Sequence, residues 1–216
     1  MAAGCAFDLA HYVELLDAAR AGRYRFAFFN REPRPGDVLL RHDVDMSLAA
    51  ALTMAELEAE RDVQATYFLM TRSEFYNLDS HSGVAALARL RDLGHRVGLH
   101  GVYPDATLDD RFDEVIAWHT PDPEYMSAPI RGIVNVMQEP YFDPELYRSD
   151  SNQHWRSGCP HAALAAGSFE WLHLLVHPEI WVYPGGTMRE TMESQLDAER
   201  ELRWQQLAEN RIDLDG

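Results

Sequence analysis

Short apolar segments alternate with helix-forming stretches along this 216-residue chain, and no other feature of the sequence constrains the fold as much. Strands are predicted at residues 24–29, 39–45, 64–70, 95–100, 115–119 and 171–177. Helices are predicted at residues 9–21, 48–61, 84–93 and 187–209, and residues 121–160 are expected to be irregular. Apolar strands that alternate with helices are typical of a parallel sheet or barrel. Since neither a repeat nor a linker interrupts the pattern, we expect residues 1–216 to form one α/β domain.

Four of the predicted strands end on side chains that bind metal ions or transfer protons. The second strand ends on Asp43 and Asp45, and three later strands end on His100, His119 and His177. Active sites of parallel α/β folds lie at the carboxyl ends of the strands, so we expect these side chains to meet. One such histidine alone would more often be a packed core residue, but three of them beside Asp45 indicate a functional site.

The neighbouring carboxylates Asp43 and Asp45 have a simpler interpretation, in which one of them caps the helix that follows. A helix cap accounts for at most one of the two, and placing both at a strand end costs desolvation energy and mutual repulsion. One Asp and two His side chains can bind a zinc-type cation with an open coordination position. The other Asp could take a proton from water and a histidine could protonate the leaving group, so these residue types indicate metal-assisted hydrolysis.

The composition argues against several kinds of partner. The formal net charge of −16 would repel a phosphate backbone, so we expect no nucleic-acid partner. No apolar run approaches membrane length and no signal-peptide pattern opens the chain, so we expect a cytoplasmic protein without a membrane partner. Cys5 and Cys159 form neither a disulfide framework nor a CxxC metal motif, and nothing in the sequence indicates an oligomeric state.

Five short motifs, in order along the chain, resemble those of the polysaccharide deacetylase family, the NodB-homology group of carbohydrate esterases. They are His42-Asp43-Val44-Asp45, Gly94–His100, His119-Thr120-Pro121, Ser149–Ser151 together with His154–Arg156, and Leu174–Pro178. The resemblance implies an irregular (β/α)7-type barrel. It also implies an enzyme that removes N- or O-acetyl groups, with a sugar or a related small molecule as its substrate.

The same resemblance implies a role for each matching residue. Asp43 would be the catalytic base and His177 the general acid, while Asp45 and His100 would bind a divalent metal ion. Zinc is the expected ion, with cobalt, nickel, manganese or iron as alternatives. The substrate pocket would be lined by Asp150, Trp155 and Arg156. Simpler interpretations remain for two of these, Trp155 as a core residue and Arg156 as an ion-pair partner of Asp150.

Two positions depart from the family pattern. The family's second metal-binding histidine corresponds to Pro104, and the arginine that orients its base corresponds to His119. One change explains both if His119 has become the third metal ligand, which is the arrangement we expect. His177 as the third ligand and loss of the metal are the alternatives. With the metal lost, the chain would be an inactive barrel that binds a carbohydrate or another partner.

Overall fold

Parallel strands form one sheet in the computed structural model, which describes residues 5–102, 108–119, 130 and 132–209. The strands are β1 Arg25–Phe26, β2 Asp37–Val44, β3 Thr66–Leu69, β4 Arg96–Gly101, β5 Val115–Trp118, β6 Val134–Asn135, β7 Tyr147–Ser149 and β8 Leu172–Val176. Their order is β6-β5-β4-β3-β2-β8-β7, with β1 beside β2, and each neighbouring pair is parallel. The sheet curls into a half-barrel, which confirms the predicted fold class, an irregular (β/α) barrel.

Helices connect the strands and pack against the sheet. They are α1 Leu9–Ala21, α2 Leu48–Ala59, α3 His81–Asp92, α4 His161–Ala165, α5 Pro178–Val182 and α6 Met188–Glu209. Within the described ranges, none of the helices has the length and apolar character that crossing a membrane requires. The hydroxyl of Ser47 caps α2 by accepting a hydrogen bond from the Ala50 N–H at 3.1 Å. Because Ser47 has this role, neither Asp43 nor Asp45 is the cap of that helix.

Strand β2 lies inside the sheet between β3 and β8, and all eight of its residues are buried. Side chains alternate between the two faces of a strand, so Leu39, Arg41 and Asp43 share one face. Leu40 packs on the other face, in the larger apolar core beneath the helices, whereas Leu39 belongs to a smaller cluster inside the half-barrel. Asp43 therefore lies at the carboxyl end of the inward face, and His42 points away from it.

On the helix side of β2, the buried carboxylate of Glu58 ties α2 to the sheet. It accepts hydrogen bonds from the hydroxyl groups of Tyr12 and Tyr67, and it lies 2.7 Å from Nε2 of His42. The contacts to both carboxylate oxygens offset the cost of burying this charge. His42 is thereby kept away from the strand-end site, as its position on the strand predicts.

Some local features differ from the sequence prediction. Only Arg25–Phe26 of the predicted strand at 24–29 pairs in the sheet, and the stretch expected to be irregular contains β6 and β7. Strands of two or three residues are too short to show a period of 2, which explains why the sequence pattern misses them. The apolar pattern of α6 predicts that Leu196 faces inward, but it is 59% exposed, and the buried positions include Thr191 and Gln195.

Two histidines away from the strand ends are packed inside the protein, as their strand positions predict. Nε2 of His95 donates to the Ala55 carbonyl at 3.0 Å. Nδ1 of His173, on the inward face of β8, donates to the Tyr141 carbonyl at 3.1 Å. The rings of Phe29 and Tyr147 lie 5.0 and 5.1 Å from that of His173, and the imidazole is fully buried.

We predict that His173 makes the protein less stable as the pH falls. Burial lowers the pKa of His173 to about 3, from the ordinary value of 6.5 that it has in an unfolded chain. Below pH 6.5 the unfolded state therefore binds a proton that the folded state does not bind. This contribution is fully present above pH 6.5 and is lost as the pH falls towards 3. Between pH 6.5 and pH 5 the loss should be about 2 kcal/mol in the free energy of unfolding.

Urea unfolding of the wild type and of His173→Asn at pH 7 and pH 5 checks this prediction. The asparagine keeps an N–H near the Tyr141 carbonyl but takes up no proton in this range. Its unfolding free energy should therefore change by about 2 kcal/mol less than that of the wild type. Equal changes in the two proteins would contradict the assignment to His173.

Candidate active site

The carboxyl ends of β2, β4, β5 and β8 meet at one edge of the half-barrel. Asp43 and Asp45 lie at the end of β2, and the ends of the other three strands carry His100, His119 and His177. All five side chains line one cleft of about 700 Å³. They share this edge because every strand pair in the sheet is parallel, so that all carboxyl ends point the same way.

Asp45, His100 and His119 direct one potential ligand atom each towards a common point. Oδ1 of Asp45 lies 3.1 Å from Nε2 of His100 and 3.3 Å from Nδ1 of His119. The two imidazole nitrogens are 3.3 Å apart. One carboxylate and two imidazoles this close to one another form a workable ligand set for a zinc-type cation.

Hydrogen bonding around these side chains also fits a bound cation. Nδ1 of His100 donates to the Ala117 carbonyl at 3.1 Å, which directs Nε2 at Asp45. Burial favours the neutral form of Asp45, but the imidazoles of His100 and His119 outweigh this effect and lower its pKa far below the usual range. Within the described residues, the buried Oδ1 of this carboxylate has no hydrogen-bond partner besides these two imidazole nitrogens, at 3.1 and 3.3 Å. An ionised buried oxygen beside two imidazole nitrogens is expected of a metal ligand.

Arg41 holds the carboxylate of Asp43 on the inward face of β2. Nε donates to Oδ1 at 2.7 Å and Nη2 donates to Oδ2 at 2.6 Å, and both side chains are buried. Burial alone would raise the pKa of Asp43, but the charge of Arg41 outweighs it and the pKa is lowered. Asp43 is therefore ionised at neutral pH, and its Oδ2 lies 3.6 Å from Nε2 of His100.

Arg41 is not among the site residues predicted from the sequence. The resemblance places the arginine that orients the base at position 119, but here an arginine two residues before Asp43 on the same strand holds it. The sequence does contain a signal for this ion pair. Arg41 and Asp43 are two residues apart, so they share one face of the strand, and a buried arginine needs a partner such as a carboxylate. With Arg41 in this role, His119 faces Asp45 instead.

Asp150 fixes the orientation of His177. Oδ1 of Asp150 lies 2.6 Å from Nδ1 of His177, and Oδ2 accepts hydrogen bonds from the backbone N–H of His177 at 2.9 Å and the indole N–H of Trp181 at 2.6 Å. Asp150 is fully buried behind His177, so it does not have the position on the pocket wall that the resemblance implies. Burial alone would lower the pKa of His177, but Asp150 raises it to about 10. The protonated ring places Nε2 within 3.9 Å of Oδ2 of Asp45.

Of the two candidates for the third ligand, the geometry favours His119. Nδ1 of His119 lies 3.3 Å from Oδ1 of Asp45, whereas Nε2 of His177 lies 3.9 Å from Oδ2. The ligand atoms that converge with those of Asp45 and His100 include that of His119. Other positions singled out in the sequence, Pro104, Thr120 and Pro121, lie outside the described residues.

The two remaining predicted pocket residues differ in exposure. Trp155 borders the cleft but is only 7% exposed, because its ring packs against Phe7 and Trp181 with centroids 6.1 and 6.2 Å apart. Trp155 is therefore mainly a core residue with one edge at the cleft. Arg156 is exposed at the rim, and the structure places no ion pair between it and Asp150 in the described part of the chain.

Glu179, at the start of α5, is a cleft residue that the sequence motifs do not reveal. Its side chain is buried and lines the cleft next to His177. Burial raises the pKa of Glu179 to about 8, so its carboxyl group is mostly neutral at neutral pH. The neutral form avoids a further negative charge close to Asp45.

The parallel half-barrel and the Asp–His–His cleft together define a (β/α)-barrel protein with a candidate metal centre. No family model and no curated protein matches the sequence. Among solved structures, the fold is similar to the peptidoglycan deacetylase Bd3279 of Bdellovibrio bacteriovorus, with 14% sequence identity and a TM-score of 0.37. The match covers 85% of this chain and 54% of that one, so this chain spans about half the length of the deacetylase. The likeness is one of distant fold alone.

Removing the charge of Arg41 should destabilise the protein strongly. Arg41→Met leaves the buried carboxylate of Asp43 without its counter-charge and should lower the free energy of unfolding by about 3–5 kcal/mol. The double variant Arg41→Met/Asp43→Leu buries no charge and should recover most of this loss. Arg89→Met breaks an exposed pair with Glu56 and should cost less than about 1 kcal/mol.

Urea unfolding at neutral pH measures all of these differences. A double variant as unstable as Arg41→Met would show that the uncompensated charge is not the cause of the destabilisation.

Proposed function

We propose that this protein is a metal-dependent hydrolase that removes an acetyl group, held as an amide or an ester, from a carbohydrate-like substrate. The observation that carries the proposal is the convergence of Asp45, His100 and His119 in one cleft. An ionised Asp43 and a protonated His177 lie within 4 Å of this set, at 3.6 and 3.9 Å.

A divalent cation held by Asp45, His100 and His119 would supply positive charge that polarises a carbonyl group and makes water more acidic. Zinc suits one carboxylate and two imidazoles best, and cobalt, nickel, manganese and iron accept the same ligands. Three protein ligands, rather than four, are typical of catalytic sites.

Asp43 is the group placed to accept a proton from water. Arg41 keeps the carboxylate ionised and fixes its orientation through two hydrogen bonds of 2.7 and 2.6 Å. Each carboxylate oxygen has two lone-pair directions, so these bonds leave one free on each oxygen. Oδ2 lies beside His100, next to the ligand set, where such a proton would be released.

His177 is the group placed to donate a proton to the leaving amine or alkoxide. Asp150 raises the pKa of His177 to about 10, against the effect of burial, so the ring carries both protons at neutral pH. Nδ1–H is directed at Asp150, which leaves Nε2–H to face the cleft. An ionised carboxylate and a protonated imidazole in one site divide the roles of base and acid.

The lining of the cleft suits a carbohydrate. Its partly exposed aromatic residues include Phe142 and Tyr147, and its polar residues include Arg148, Ser149, Ser151, Asn152 and Arg156. Aromatic faces pack against the apolar faces of sugar rings, while polar side chains hydrogen-bond to hydroxyl groups. The volume of about 700 Å³ is typical of small-molecule sites and favours a small acetylated sugar.

The geometry does not favour the alternative of an inactive binding barrel. That alternative expects His119 to turn away from the other two ligands, leaving the position of the missing histidine unfilled. Instead, Nδ1 of His119 lies 3.3 Å from Oδ1 of Asp45 and 3.3 Å from Nε2 of His100.

Loss of either proton-transfer group should reduce turnover without removing the metal ligands. Zinc- or cobalt-loaded protein should release acetate from N-acetylglucosamine oligomers or 4-nitrophenyl acetate, and chelation should stop the release. With the N-acetylglucosamine oligomers, whose amine must be protonated to leave, Asp43→Asn and His177→Gln should each lower kcat by about 100- to 10,000-fold. The matched controls Asp92→Asn and His81→Gln change exposed residues of α3 and should keep the wild-type rate.

Steady-state kinetics of the five proteins measure these effects. Absence of metal-dependent acetate release from both substrates would contradict the proposal. Unchanged turnover in Asp43→Asn would exclude Asp43 as the base.

Asp150→Asn should shift the alkaline limb of the kcat/KM profile to lower pH. A general acid acts only when protonated, so activity falls as the pH rises through the pKa of His177. The negative charge of Asp150 raises that pKa, and an amide lacks this charge while its oxygen still accepts the Nδ1–H. If kcat/KM falls at the same pH in the wild type and in Asp150→Asn, His177 is not the acid. A purely structural effect of Asp150 would lower kcat/KM without changing the pH at which it falls.

A further inference from the structure

Away from the cleft, sulfur and nitrogen atoms of three side chains meet at the start of the described chain. Cys5 lies before α1, His11 lies in the first turns of α1, and Cys159 lies just before α4. The two sulfur atoms and one nitrogen of His11 all lie within 4.8 Å of one another. Nε2 of His11 is 3.3 Å from Sγ of Cys159, and both cysteines are partly buried free thiols.

A carboxylate orients the imidazole of this group in the manner of a metal ligand. Nδ1 of His11 lies 2.8 Å from Oε2 of Glu14, which can only accept a hydrogen bond when ionised. The proton of the ring is therefore on Nδ1, and the lone pair of Nε2 points at Cys159. Carboxylate–histidine–metal arrangements use the same contact to fix the tautomer and strengthen the ligand.

A fourth side chain is close enough to complete a tetrahedral set. His161 lies two residues after Cys159, and its ring centroid is 5.5 Å from that of His11. His11, Glu14 and His161 also each offer a ligand atom within 4.8 Å of the others. Structural zinc sites have four protein ligands, and His161 is the candidate for the fourth.

We propose that Cys5, His11 and Cys159 bind a second divalent cation of the zinc type, with His161 or a water molecule as the fourth ligand. Two thiols and an imidazole select zinc or cobalt over magnesium, calcium or manganese. Binding replaces the two thiol protons, which pass to solvent, and involves no change of oxidation state. The site joins two segments that are far apart in the sequence, residues 5–11 and residues 159–161, which favours a structural role.

The position of this second site connects it to the cleft. The ring of His11 stacks on Trp181 with centroids 6.2 Å apart, and Phe7 packs against the same indole at 5.3 Å. The indole N–H of Trp181 donates to Asp150 at 2.6 Å, and Asp150 holds His177. An ion bound to His11 would therefore stabilise the position of Trp181, which hydrogen-bonds to Asp150 and in this way supports the candidate acid, His177.

Cobalt titration of the full chain under reducing conditions tests the proposal. Cobalt bound to thiolates gives a near-ultraviolet charge-transfer band, whereas cobalt bound only by Asp45 and histidines in the cleft does not. The wild type should develop this band until the thiol site is filled, at no more than two equivalents of cobalt because the cleft also binds the ion, and zinc should remove it. Cys159→Ser and Cys5→Ser should lose the band, while His119→Gln, which changes only the cleft, should keep it.

Thiol alkylation of the wild type provides a second measurement that needs no variant. Zinc should slow the labelling of Cys5 and Cys159 by iodoacetamide about tenfold or more relative to chelator-treated protein, as read by mass spectrometry. Equal labelling with and without zinc would overturn the proposal. A fully reduced wild type that develops no band would also overturn the proposal, and so would a band that persists in Cys159→Ser.

Discussion

The buried ion pair between Arg41 and Asp43 is the interaction on which the candidate site depends. It places two charges inside a half-barrel whose inner surface is otherwise largely apolar, with the guanidinium 5.5 Å from the ring centre of Phe68. Two parallel hydrogen bonds offset the loss of water only because both groups lie on one face of β2, two residues apart. The pair fixes the carboxylate of Asp43 at the edge of the sheet, while His119 faces Asp45.

Around this pair, the environment of each ionisable side chain sets a different charge. Asp43 and Asp45 are ionised, since neighbouring cationic or imidazole groups lower the pKa of each against the effect of burial. His177 is protonated because Asp150 raises its pKa, while Glu179 is mostly neutral because burial raises its pKa. The cleft therefore contains two ionised carboxylates and one protonated imidazole, and a cation would balance the negative charge. Under the proposed function, the ionised Asp43 would accept a proton and the protonated His177 would donate one.

Much of the fold and of the site could be predicted because the relevant signals are local. Short apolar strands with His or Asp at their ends are visible in the sequence, and parallel pairing then brings His100, His119 and Asp45 together. The role of Arg41 was missed because the resemblance placed the orienting arginine on another strand. The position of Asp150 behind His177 depends on burial in the folded chain, which no sequence motif reports. Strands β6 and β7 are too short for any periodicity to show.

The central claim is that Asp45, His100 and His119 hold a divalent cation. Diffraction from zinc-saturated crystals, recorded on either side of the zinc absorption edge, tests this most directly. We expect an anomalous peak about 2.0–2.2 Å from Oδ1 of Asp45, Nε2 of His100 and Nδ1 of His119. A cleft without such a peak, in crystals that contain zinc, would contradict the account.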